Sequence, residues 1–296
     1  MTRIGPACAL LMVIIVVPSP VLGQKPPEIT PNSVERGFAA VPGGRLYYEI
    51  AGSGDPVVLI HGGWGDIRYW DEQFVALSQR YRVLRYDVRG YGKSSMPVAA
   101  LPYSDQEDLA NLLDRLQIRN ERVVGFSMGS RIAIDYVIEF PGRSRSLTVV
   151  GPVVSGYSSP LQKAFTSRYA EIGSVLKVGG RKAAADHVID IFAGMTGDAA
   201  TTARVRAIVN DHSFWFYANE SPRRTLSAND RLSAIRIPTL ALTAEQDVPF
   251  CREIADRIAS VVQGAEKAVL PIAGHFMMLE RPEGFNRVLL DFFRRH

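Results

Sequence analysis

The chain has 296 residues, 47% hydrophobic and 22% charged, enough to bury a large core as one α/β domain with an insertion or as two small domains. The formal charge of +4 is small, and the arginines fall in scattered pairs such as Arg143/Arg145, Arg204/Arg206, Arg223/Arg224 and Arg294/Arg295. There is no basic stripe of the kind that grips nucleic acid, so no nucleic-acid partner is expected and the pairs read as solvated surface.

Residues 1–23 differ from the rest. Thr2-Arg3 gives a positive start, Ala7 to Val17 is an unbroken apolar run of 11 residues, and Pro18-Ser19-Pro20-Val21-Leu22-Gly23 follows. The pattern predicts a secretory signal peptide, because a membrane-spanning helix needs about 20 apolar residues. It places the mature protein outside the cell or in a periplasm, with no stable membrane anchor after cleavage. Removing this segment also removes Cys8 and leaves Cys251 alone, so no intramolecular disulfide is expected. Cys251 sits in a predicted helix, Pro249 to Val262, where a packed, inert thiol is the default. Residues 24–33 are polar and proline-rich and read as a linker.

From residue 34 the chain alternates short apolar runs with helical patterns. Glu35 to Val41 and Arg45 to Ile50, joined by Pro42-Gly43-Gly44, predict an antiparallel pair at a sheet edge. Val57–Ile60, Tyr81–Tyr86, Val123-Val124, Leu147–Val150, Thr239–Leu242 and Lys267–Leu270 are short and apolar, as buried parallel strands are. Helical patterns lie between them, with Leu109, Leu112, Leu113 and Leu116 on one face. The fold class is therefore α/β: a mostly parallel sheet covered on both sides, with ligands at the carboxyl ends of its strands. Residues 152–230 interrupt the alternation with helix-like pieces at Leu161–Lys177, Gly180–Phe192 and Thr201–Tyr217. The stretch is too long for a connection and reads as a helical cap between core segments 34–151 and 231–296. Its cluster Phe214-Trp215-Phe216-Tyr217 either lines an apolar pocket or packs the cap onto the core.

Gly125-Phe126-Ser127-Met128-Gly129 stands between a strand and a helix, the setting of a nucleophile elbow. A serine hydroxyl needs a base, and His275 follows the last strand in Ala273-Gly274-His275-Phe276. His187, His212 and His296 read as surface or packing residues. Asp247 follows the strand ending near Leu242 and is the candidate acid, with Glu245 as its rival. Two amides would hold an oxyanion: that of Met128, and that of Gly63 in His61-Gly62-Gly63-Trp64-Gly65, with Trp64 second in line. Asp87-Val88-Arg89-Gly90-Tyr91-Gly92-Lys93-Ser94 ends like a phosphate loop but lacks its first glycine, so it reads as a turn bracing the oxyanion loop.

These pieces together, from residue 57 to 276, resemble the α/β-hydrolase superfamily. The matching motifs are His61-Gly62-Gly63-Trp64, the run Asp87–Ser94, Gly125–Gly129, Asp247 before Val248-Pro249, and Gly274-His275. The resemblance implies an eight-stranded sheet, a Ser127–His275–Asp247 triad and no cofactor or metal. The small-cap architecture is similar to that of carboxylesterases, enol-lactonases, carbon–carbon bond hydrolases and cofactor-free haloperoxidases. The expectation is an exported serine hydrolase acting on a small-molecule ester or lactone. A carbon–carbon bond hydrolase is the alternative within enzymes, and a ligand-binding pseudo-hydrolase the alternative outside them.

Overall fold

The computed structural model describes residues 34–196, 198–218 and 223–296. The leader and linker expected at 1–33 lie outside them. The described strands are β1 Glu35–Val41, β2 Gly44–Ala51, β3 Pro56–Ile60, β4 Arg82–Tyr86, β5 Arg122–Phe126, β6 Ser146–Val150, β7 Thr239–Ala244 and β8 Glu266–Leu270. They form one eight-stranded sheet in the order β1-β2-β4-β3-β5-β6-β7-β8. β2 runs antiparallel to β1 and β4, and every other pairing is parallel.

Burial along the strands explains their composition. β5, β6 and β7 are buried at every residue, and β3 at all but its first, so both faces need apolar side chains. β1 lies at the edge and mixes buried with exposed positions. The order reverses beside β3, which pairs with β4 on one side and β5 on the other. Ile60 stands opposite Gly125 in that register, so the loops after β3 and β5 leave the sheet side by side. This is the switch point at which open parallel sheets hold their ligands.

Helices α1 Asp71–Leu77, α2 Asp105–Arg115 and α3 Met128–Glu139 follow β3, β4 and β5 respectively. α7 Pro249–Val261 follows β7, and α8 Met277–Glu280 and α9 Pro282–Arg295 close the chain. α2 and α3 pack on each other, and a 3-10 turn at Ala228–Ala234 joins α3 to α7, whereas α1 packs with α8 and α9.

Between β6 and β7 the chain folds as α4 Pro160–Thr196, α5 Ala199–Asn210 and α6 Trp215–Ala218. α4 is two helices meeting at Gly180, whose φ of 71° breaks the helical path, in agreement with the two separate pieces expected there. Asp198 caps α5 by accepting from the amides of Ala200 and Thr201. The continuous helix expected over Thr201–Tyr217 is not formed. It stops at Asn210, because His212 Nδ1 accepts the Phe214 amide at 3.0 Å and Phe214 adopts φ 54°. The inserted helices are tied to the sheet domain by Arg204 on Asp71 and Glu72 and by Arg68 on Asp211. Among the described residues, no helix is long and apolar enough to cross a membrane.

Candidate active site

Ser127 lies between β5 and α3 with φ 51° and ψ −112°, a conformation costly for a residue with a side chain. Its neighbours explain how the turn holds. A Cβ on Gly125 would sit 2.2 Å from the carbonyl oxygen of Gly129, and one on Gly129 would sit 2.3 Å from that of Ile60. Neither contact is physically accessible, so both positions require glycine. The Ser127 amide donates to the Val150 carbonyl at 2.8 Å, and the Ser127 carbonyl accepts from the Ser130 hydroxyl at 2.6 Å.

His275, in the loop between β8 and α8, bonds through Nδ1 to Asp247 Oδ1 at 2.7 Å. Asp247 also accepts from its neighbour amide at Val248 (2.7 Å) and from the Thr243 hydroxyl (2.8 Å). Its two oxygens thus receive three donors in a buried setting, which fixes the carboxylate and, through it, the imidazole. With Nδ1 directed at Asp247, Nε2 is the ring nitrogen left for chemistry. Glu245, the rival acid, turns to the exposed side and accepts the Ile272 amide at 2.9 Å.

Three residues that no sequence motif marks for the site shape the surroundings of His275. Gly151, at the end of β6, has φ 51°, and a Cβ there would lie 3.0 Å from His275 Nδ1 and 3.4 Å from Asp247 Oδ2. Phe192, from α4, stacks on the imidazole at 5.1 Å between centroids and 11° between planes. Glu280, in α8, accepts the Gly274 amide at 2.7 Å and so pins the loop just before the histidine. Burial pushes the Glu280 carboxyl up to about 7 against the opposing effect of the Gly274 and Phe276 amides, and its Oε1 has no partner. A proton on Oε1 would leave Oε2 free to accept from Gly274.

Gly63 and Met128 line the same cavity as Ser127 and His275. Beyond its chain neighbours, only Met128 Cβ, at 4.0 Å, comes near the place of a Gly63 Cβ, so the space beside Gly63 is open. Met128 is the first residue of α3, where the amide has no partner within the helix. The turn after β4 braces this loop. His61 Nε2 accepts the Val88 amide at 3.0 Å, its Nδ1 donates to the Gly62 carbonyl at 2.7 Å, and Asp87 accepts the amides of Ile67 and Lys93. The reading of Asp87–Ser94 as a structural brace agrees with these contacts.

The remaining candidates fall into packing roles. His212 is buried among Trp64, Tyr91, Phe214 and Phe216, and burial lowers its imidazole to about 3. His187 lies 3.5 Å from Glu171, and His296 bonds Glu266 at 2.9 Å. Cys251 is buried as expected, but it lies beside the site: Asp247, Cys251 and His275 each bring a ligand-type atom within 4.8 Å of the others. Asp247 and His275 bond each other, and burial pushes the thiol well above its ordinary range, so the trio is a packed acid and base beside a protonated thiol. The aromatic cluster divides: Phe216 and Tyr217 line the cavity, Phe214 is fully buried, and the Trp215 indole fills the space a Gly90 Cβ would need.

The profile of the alpha/beta hydrolase family matches residues 57–288. The chain belongs to this family. A 2-hydroxy-6-oxononadienedioate/2-hydroxy-6-oxononatrienedioate hydrolase of Burkholderia vietnamiensis is 27% identical over 270 residues, covering 85% of this chain and 91% of the relative. A bromoperoxidase from Bacillus anthracis superposes with a TM-score of 0.74 at 26% identity, covering 88% of this chain and 100% of the other. The esterase EaEST from Exiguobacterium antarcticum superposes at 0.72 and 25% identity, covering 87% and 98%. These relatives carry different reaction names on one fold, so the family alone does not fix the reaction.

Proposed function

We propose that the protein is an exported serine hydrolase that cleaves a carboxylic ester or lactone through Ser127, His275 and Asp247. The observation that carries this reading is the 2.7 Å bond from His275 Nδ1 to Asp247, with His275 lining the same cavity as Ser127 on its strained turn. The solved esterase neighbour supports the ester reading, and the leader-like composition of residues 1–23 supports export.

His275 Nε2 takes the Ser127 proton as Oγ attacks the carbonyl carbon. The amides of Gly63 and Met128 receive the charge that develops on the carbonyl oxygen; removing one such donor costs about 10²–10³ in rate. Collapse breaks the bond to the alcohol, which leaves with the proton from His275. Water then gives a proton to His275 and attacks the acyl-enzyme, and Ser127 recovers its proton as the acid departs. Asp247 holds the imidazole and balances its transient charge throughout. The hydrolase relative named for a dioate keeps carbon–carbon cleavage by the same residues as a second reading. Turnover of p-nitrophenyl esters by the mature protein, with Ser127→Ala alongside, tests the proposal. We expect a loss of about 10⁶-fold in kcat; activity near that of the unaltered protein would remove Ser127 from the mechanism.

A further inference from the structure

The half-open cavity beside Ser127 has a volume of about 290 Å³. That is at the foot of the ordinary range for small-molecule sites, about 300–1,000 Å³, and suits a compact group rather than a long chain. Its walls are rings. Trp64, from the loop after β3, is stacked on Tyr217 at 5.8 Å and 11°, and lies 5.2 Å from Phe216 and 5.5 Å from Tyr169. Phe165 continues the wall from Tyr169 at 5.1 Å, and Phe192 extends it over His275. An aromatic guest would add ring contacts to this set, each worth about 0.5–1.5 kcal/mol beyond the area it buries.

Among the described residues, the cavity is lined by one permanently charged side chain, Arg131, and by no aspartate, glutamate or lysine. Its guanidinium is already engaged. Nη2 donates to Asp105 Oδ2 at 2.5 Å, and Nη1 reaches Asp135 Oδ2 at 3.5 Å. Arg223 Nη1 lies 3.5 Å from the same Asp105 oxygen, and the Ser155 hydroxyl donates to Asp135 at 3.0 Å. Two guanidinium groups therefore face two buried carboxylates. An anion entering the cavity would lose its hydration and find a cluster whose charge is already balanced, close to Asp105 and Asp135. Desolvating a charge without a free counter-charge is among the most costly events in a protein interior.

We propose that the cavity receives a compact, uncharged aromatic acyl group and rejects carboxylated acyl groups of the same shape. The inference rests on the ester reading of the preceding subsection and adds the substrate class. A matched pair of esters tests it: methyl 4-methylbenzoate and methyl 4-carboxybenzoate share a leaving group and nearly the same shape, and differ in charge. The expected kcat/KM is at least about 100-fold higher for the methyl-substituted ester, given the desolvation cost of the carboxylate. It should also exceed that for methyl acetate by about 10-fold, from the ring contacts. Calorimetric titration of Ser127→Ala with the same pair reads binding without turnover and should give the same order. Equal kcat/KM and equal affinity for the two benzoates would overturn the proposal while leaving the serine mechanism in place. Selective binding of the neutral ester by Ser127→Ala, with no turnover of any ester by the unaltered protein, would support the cavity assignment and remove the ester mechanism instead.

Discussion

The sheet edge and the inserted helices meet at the same cavity but are specified in different ways. At the edge the determinants are backbone atoms. Gly125 and Gly129 admit no Cβ because carbonyl oxygens of the fold occupy the space, and Gly151 lies directly beneath the His275–Asp247 pair. In the insertion the determinants are side chains: rings from α4 and α6 line the cavity and stack on Trp64 and His275. Backbone-made sites respond to substitution in an all-or-none way, since nothing there can repack. Ring-made walls respond gradually, with an effect on substrate choice larger than that on the chemical step.

Substitutions on the two sides should therefore differ in effect. The largest belongs to Asp247→Asn. An amide there would present a donor to Nδ1 and invert the imidazole tautomer, so kcat should fall about 10⁴-fold with the protein still folded. Stopped assays beside a circular dichroism spectrum check this, and retention of most activity would remove Asp247 from its role. Next is Gly151→Ala. Its Cβ would meet Nδ1 at 3.0 Å, and displacing the ring should lower kcat by about 10²-fold, the usual cost of a misplacement near 1 Å. If Gly151→Ala were fully active, the edge would be more yielding than described.

Phe192→Ala tests the other side. It removes the ring stacked on His275 and opens the cavity, so KM for an aromatic ester should rise and kcat should fall by about 10-fold, with Phe192→Leu between. A loss as great as that of Gly151→Ala would mean that the insertion specifies the chemistry as tightly as the edge does.

The smallest effect concerns Glu280. Its folded-state carboxyl is raised to about 7 by burial, so the native protein binds a proton there that the unfolded chain releases near the ordinary carboxylate value. The stabilisation is fully present below that unfolded value and is lost as pH rises through about 7. Glu280→Gln keeps an acceptor for the Gly274 amide and cannot ionise. Its melting temperature should therefore decline less than that of the unaltered protein from weakly acidic to weakly alkaline pH. Parallel melting profiles for the two proteins would contradict the assignment.

Much of the edge was legible in the sequence because its signals are local. Continuous apolar runs marked β3 and β5, and Gly-x-Ser-x-Gly is confined to five neighbouring residues. Asp247 and His275 were legible because each follows its own strand, so one topological rule brings them to one edge. Other neighbours of His275 were not: Gly151 and Phe192 meet it only through the tertiary fold, and no motif marks Glu280, six residues after Gly274, as the acceptor of that amide. Nor did the thiol of Cys251 reveal its place near the base, because helix α7 brings it there across the β8 loop. The helix expected through Phe214 failed for a local reason that residue pattern does not show: a histidine side chain takes over an amide that the helix would have used.

The proposed mechanism stands or falls on Ser127 acting as a nucleophile activated by His275. A fluorophosphonate probe tests it most directly, since the probe reacts with activated serine. Mass spectrometry of the labelled and digested protein should find one adduct per chain, on the peptide bearing Ser127. Labelling should be lost in Ser127→Ala and strongly slowed in His275→Ala. An adduct on another residue, or labelling of Ser127→Ala at the rate of the unaltered protein, would contradict the account.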